Sequence, residues 1–141
     1  MVDSTPARTA RQVVFDSYDR VRKTGDIDQF LADFAEDAVL EESEALPEGY
    51  GGQHHGKPAI RATITRIMNE FWKDFSFIIE KTVSDDEFVI VYGRFSATGP
   101  KTGKTVSFPL MEMWRVKNGK VVWMRPVYGD HGQIFDAWAL S

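Results

Sequence analysis

The chain has 141 residues, 43% of them hydrophobic and 27% charged, which is the make-up of an ordinary globular domain with material for one core. Cysteine is absent, so disulfides, thiolate metal sites and a cysteine nucleophile are excluded, and a cytoplasmic setting is expected. The net charge of −4, from 21 acidic and 17 basic residues spread along the chain, leaves no positive footprint for nucleic acid or an anionic membrane.

Residues 1–141 read as one domain, with residues 1–6 expected as a flexible tail. Met1 to Thr9 carries no apolar stretch of the signal-peptide kind, and no run approaches the ~20 residues that span a bilayer. Ala7 to Lys23 has Ala10, Val14, Tyr18 and Val21 at helical spacing, so one stripe faces inward. Gly25 ends that helix, and Asp26 with Gln29 reads as the capping start of a second, carrying Ile27, Phe30, Leu31 and Phe34 on one face. Ala38 to Glu42 is short and extended. Ala45 to Gly56, with four glycines and a proline, reads as a loop, and Pro58 opens a third helix with Ile60, Ile64, Ile67, Met68 and Phe71 buried.

The period then changes. Phe75 to Ile79, Phe88 to Ala97, Val106 to Val116 and Val121 to Tyr128 read as strands, with Asn118-Gly119 a hairpin turn between the last two. Helices first and an antiparallel meander second define an α+β fold. The expected form is a cone-shaped α+β barrel, three N-terminal helices packed on a strongly curved, mainly antiparallel sheet.

Glu112 is the most informative residue. It shares one face of its strand with Val106, Phe108, Leu110, Trp114 and Val116, so a carboxyl group points the same way as five apolar side chains. Burying it charged and unpaired costs several kcal/mol, so it is neutral or held by a donor. The alternatives are a bulge near Pro109 that shifts the phase, or an outward face at a sheet edge. Tyr18 on the inward stripe needs a partner for its hydroxyl; a core tyrosine bonded to backbone is the plainer reading. Glu41 and Glu42 face opposite sides of an extended segment, so one is solvated and the other is either a second inward acid or plain charge on a surface strand.

The only histidines are His54, His55 and His131. No His-x-x-x-His spacing accompanies them, so neither a metal nor a cofactor is expected, and the loop bearing His54 and His55 is placed at the rim of a pocket. Asp130 is either a pocket residue or the cap of a C-terminal segment around Gln133 to Trp138. No Gly-x-Ser-x-Gly elbow and no phosphate-binding glycine loop occurs.

Gly25-Asp26, Phe34-Ala35-Glu36-Asp37-Ala38-Val39, Gly56-Lys57-Pro58-Ala59-Ile60 and Asn118-Gly119-Lys120-Val121-Val122 together resemble the nuclear transport factor 2-like superfamily. The resemblance is nearest to its SnoaL-like and ketosteroid isomerase-like branches and covers almost the whole chain. It implies an active-site tyrosine at Tyr18, seven positions before Gly25-Asp26, a base at Glu42 after Asp37-Ala38-Val39-Leu40-Glu41, and a second, protonated acid at Glu112. In that scheme a carboxylate removes a proton beside a carbonyl while two neutral donors hold the enolate oxygen. Both acids are glutamate here, where ketosteroid isomerases carry aspartate.

The resemblance therefore implies a cofactor-independent isomerase, cyclase or dehydratase acting on a small hydrophobic carbonyl compound, with Tyr18, Glu42 and Glu112 catalytic. His54, His55, Trp114, Trp123 and Asp130 are expected to contact that substrate. A non-catalytic domain binding a hydrophobic small molecule is the alternative, and a dimeric scaffold a third. Met111 and Met113 make the strand apolar on its other face too, so a homodimer through the sheet is expected in each case.

Overall fold

The computed structural model describes residues 7–47 and 49–139; the expected tail at residues 1–6 lies outside them. Helix α1, Ala10–Thr24, starts later than its apolar spacing suggests because Thr9 and Gln12 form a reciprocal capping box, and Gly25 closes it at φ 66°. Helix α2, Ile27–Phe30, is a single turn capped by Asp26. It ends before Phe34, which opens strand β1, Phe34–Glu42.

The glycine-rich stretch expected as a loop contains strand β2, Gly52–His55. It pairs antiparallel with β1 from Val39↔His55 to Glu42↔Gly52, so the β1 edge imposes a ladder that the glycine content conceals. Helix α3, Lys57–Arg66, runs directly into a π-helical turn, Ile67–Phe71. Strands β3 (Lys73–Ser84), β4 (Phe88–Thr98), β5 (Thr105–Lys117) and β6 (Lys120–Tyr128) follow, and helix α4, His131–Ala137, is the last of the described elements. Asn118 and Gly119, at φ 52° and 75°, make the expected tight turn between β5 and β6.

The six strands lie in the order β2-β1-β6-β5-β4-β3, all antiparallel except the β1–β6 pair. The fold is the expected α+β cone, but the sheet does not close into a barrel: β2 and β3 are its two edges. Gly93 permits the bend near β3, where a Cβ would come within 2.1 Å of the Ile78 carbonyl oxygen. The β3–β4 register slips beside it, between Ile79 and Lys81.

One core cluster gathers α1 (Val13, Val14) and Phe34 around Trp114, which is fully buried. A second gathers Phe108, Ile134 and Trp138 at the α4 end. Between them the sheet and the α3 side leave a cavity.

Candidate active site

The cavity measures about 160 Å³. Phe30, Ile64, Ile67 and Met68 line it from the helices; Glu42, Pro126, Tyr128 and Glu112 are the polar part of its sheet wall and its spacer. The register explains their convergence. Glu112 on β5 pairs with Pro126 on β6, and Leu40 on β1 pairs with Met124. Continuing the parallel ladder two residues from Leu40 brings Glu42 level with Pro126. Two carboxyl groups thus project from the same sheet face two strands apart, about 10 Å between backbones, with a proline between them that has no side-chain polarity.

The phase of β5 runs unbroken through Pro109, which pairs with Arg94, and β5 is a central strand. Both outward alternatives for Glu112 therefore fail. Tyr18 donates to Glu112 Oε1 at 2.6 Å, and Trp114 Nε1 donates to the Tyr18 oxygen at 3.2 Å. Burial raises the Glu112 carboxyl to about 7, against the pull of the Tyr18 hydrogen bond, and raises the Tyr18 phenol well above its usual range. Glu112 retains accessible surface only in part, and it lines the cavity.

Glu42, rather than Glu41, faces inward, because Ala38, Leu40 and Glu42 alternate on the buried side of β1. It is only 6% exposed. Burial, opposed by a 2.6 Å hydrogen bond from Tyr128 and reinforced by the nearby Glu112, pushes its carboxyl up to about 8. Tyr128 itself is raised well above the usual phenol range by burial and by Glu42.

Tyr128 is the site residue that sequence reasoning missed. The β5–β6 register shifts between Arg115 and Val116, so Val122 is an extra residue in β6. Before this bulge Val121 faces inward; after it Met124, Pro126 and Tyr128 do. The same bulge turns Trp123 to the outer face, where its Nε1 donates to Glu41 Oε1 at 3.2 Å and its ring stacks on Phe88. The expected contact of Trp123 with a substrate thus has no geometric basis.

The other expected contacts also lie away from the cavity lining. Trp114 is fully buried behind Tyr18. His54 Nε2 donates to the Tyr50 carbonyl at 2.8 Å, which leaves Nδ1 to accept from the Thr63 hydroxyl at 3.0 Å, so both ring nitrogens are used inside the fold. His55 is exposed and meets Gln53 Oε1. Asp130 caps α4, accepting from the Gln133 backbone N–H at 3.2 Å. Tyr18 lies deeper than expected, 6% exposed and outside the cavity lining. Among the described residues no group of three His, Asp or Glu is placed to hold a metal ion, and no helix is long and apolar enough to cross a membrane.

The SnoaL-like domain profile matches residues 14–124. The chain belongs to the SnoaL-like family. Solved structures agree on the fold. A nuclear transport factor 2-like protein from Burkholderia thailandensis is 27% identical, with 92% of this chain and 97% of that one aligned at a TM-score of 0.82. A hypothetical protein with a ketosteroid isomerase-like fold from Catenulispora acidiphila, solved with trimethylamine, is 12% identical over 94% and 96% of the two chains, at 0.73. A candidate SnoaL-like polyketide cyclase from Mesorhizobium loti is 23% identical over 86% and 100%, at 0.68. No curated protein matches the chain in sequence.

Proposed function

We propose that this SnoaL-like protein is a cofactor-independent enzyme that moves protons on a small, uncharged carbonyl compound, as an isomerase, cyclase or dehydratase. The observation that carries the reading is the pair of carboxyl groups, Glu42 and Glu112, facing one small cavity, each hydrogen-bonded by its own tyrosine. Buried acids near neutrality are suited to general acid–base work at physiological pH. Among the described residues no lysine, arginine or histidine lines the cavity, so an anionic substrate is disfavoured. A cavity of about 150 Å³ takes a benzene-sized molecule, so ~160 Å³ suits one ring with short substituents and not a fused polycycle.

The test is deuterium incorporation next to the carbonyl of one-ring enones and β-dicarbonyl compounds in D2O, followed by NMR. The wild type is expected to exchange at least one of them far faster than the Glu42→Gln/Glu112→Gln double variant. Equal rates across the panel would leave a binding domain for hydrophobic small molecules as the better reading. We place the protein in the cytoplasm, a setting that its cysteine-free sequence suits and that fractionation of the source cells tests.

The outer sheet face supports a homodimer. Ile78 is 65% exposed and Tyr92 41%, and Tyr92 pairs across the strands with Met111, which pairs with Val127. Tyr92, Met111 and Val127 make an apolar row across β4, β5 and β6, with Ile78 exposed on the adjoining edge strand; such a row suits an interface, and a second copy offers the same one. Met111→Lys is expected to shift the sedimenting species from dimer to monomer; a wild-type monomer at micromolar concentration would end the dimer proposal.

A further inference from the structure

We infer that the site works in the opposite sense to the one the family resemblance implies: Glu112 is the base, and Glu42 with Tyr128 is the donor pair that holds the substrate oxygen. The inference rests on the acid–base reading above and assigns its direction.

Trp114 contributes a group that can only donate. An indole N–H has no acceptor function, so the 3.2 Å contact of Trp114 Nε1 with Tyr18 makes the phenol oxygen an acceptor. Among the described residues Glu112 Oε1, at 2.6 Å, is the one acceptor within reach of the Tyr18 hydroxyl, so its proton points along that contact. The chain Trp114 to Tyr18 to Glu112 therefore has one direction, each bond polarising the next, and it ends on an oxygen that accepts. It favours the carboxylate. Trp114 is fully buried and Tyr18 6% exposed, and neither lines the cavity, so Tyr18 has no free proton for a substrate oxygen. Tyr18 and Trp114 are positioning residues; the second oxygen of Glu112 is left for the substrate.

The other end has no fixed direction. Tyr128 lines the cavity and meets Glu42 Oε2 at 2.6 Å, and among the described residues no third group hydrogen-bonds to either. The bond can run from phenol to carboxylate, or from carboxylic acid to phenol oxygen. In the second arrangement the Tyr128 proton is released towards the cavity. Glu42 is the less exposed of the two residues, and burial raises both carboxyls, to about 8 and about 7. The titratable groups facing the pair are Tyr18 from α1, Tyr128 from β6 and each other, with the His131 ring of α4 edge-on to the Tyr128 ring at 5.9 Å and the Arg22 guanidinium 5.8 Å from the centre of the Tyr18 ring.

The step balances without a co-reactant. Glu112 takes the proton from the carbon beside the carbonyl, and the C–H electron pair becomes the new C=C bond. The carbonyl π pair moves to oxygen, where Tyr128 and protonated Glu42 donate hydrogen bonds. Return of the proton from Glu112 to a different carbon of the dienolate completes an isomerisation.

Two measurements test the direction without needing the natural substrate. In protein carrying 13C at the glutamate carboxyl carbon, NMR titration of Glu42→Gln should leave the lower-titrating buried acid, and Glu112→Gln the higher. Tyr18→Phe and Trp114→Phe should raise the Glu112 titration, and Tyr128→Phe that of Glu42. Loss of the higher-titrating signal in Glu112→Gln, or an unmoved Glu112 in a folded Tyr18→Phe, would overturn the assignment. Substituted phenols serve as enolate mimics: Tyr128→Phe should weaken their binding by about 10-fold, the scale of one hydrogen bond, and Tyr18→Phe by about 2-fold or less. The reverse order, or no binding to the wild type, also overturns it. Failure of every carbonyl compound to exchange would instead sink the enzyme reading while leaving the titration order standing.

Discussion

Glu41 and Glu42 are neighbours on one strand and experience opposite environments. Glu41 faces outward, where Trp123 donates at 3.2 Å, Gln53 at 3.1 Å and Arg125 at 2.8 Å, and these donors hold its carboxyl below the usual range. Glu42 faces inward, has one phenol partner, and is pushed up to about 8 by burial. One residue of strand phase separates a charge that is solvated and paired from an acid kept neutral. The lesson concerns number of donors as much as depth. Several donors compensate a carboxylate; a single tyrosine in an apolar cavity does not.

The largest expected break in this comparison is in activity. Glu112→Gln or Glu42→Gln removes a group with a titrating proton in the cavity, and each should lower the exchange rate of a responsive carbonyl compound by ~10²-fold or more, the typical worth of general acid–base catalysis. Glu41→Gln should leave it unchanged. A Glu41→Gln variant as slow as Glu42→Gln would mean that the outer face, and not the cavity, holds the reaction.

Stability should separate the two glutamates next, with opposite signs. Glu42 and Glu112 hold their protons to higher pH when folded than when unfolded, so the native state binds more protons. The stability they contribute is complete below the unfolded value of ~4.5 and drains as pH rises through about 7 and about 8. Glutamine mimics the neutral acid. Each Glu→Gln variant should therefore match the wild type near pH 4 and exceed it at pH 9 by on the order of 2 kcal/mol in urea unfolding. Parallel wild-type and variant profiles between pH 4 and 9 would show that neither acid is buried in solution.

The fold was legible in local chemistry, and the site only in part. Asn118-Gly119 marked its hairpin, and the alternation of Val106 to Val116 placed Glu112 inside because β5 is regular through Pro109. Tyr18 sat on the inward stripe of α1, yet the direction of its proton depends on Trp114, 96 residues away. Tyr128 was hidden by the extra residue at Val122, which reverses the phase of β6 after the hairpin and sends Trp123 outward. Bulges leave no reliable trace in a hydrophobic pattern. Strand β2 was hidden by the glycines in and around it, since its ladder follows the β1 edge. The choice between Glu41 and Glu42 waited on the tertiary position of Leu40.

The smallest expected effect tests the outer half of the comparison. Glu41 is ionised more readily folded than unfolded, so it contributes stability above its unfolded range and loses it as pH falls. Its partner Arg125 is 46% exposed, so solvent screens the pair and the gain is about 0.5 kcal/mol. Glu41→Gln should lower stability by that amount at pH 7, and by less at high salt or near pH 3. Trp123 fluorescence supplies a local readout, because its indole N–H loses a charged acceptor in the variant. If Glu41→Gln stabilised the protein at pH 9 as Glu42→Gln does, the two carboxyls would share one environment. The single-residue alternation on β1, which turns Leu40 and Glu42 to the cavity, would then be wrong.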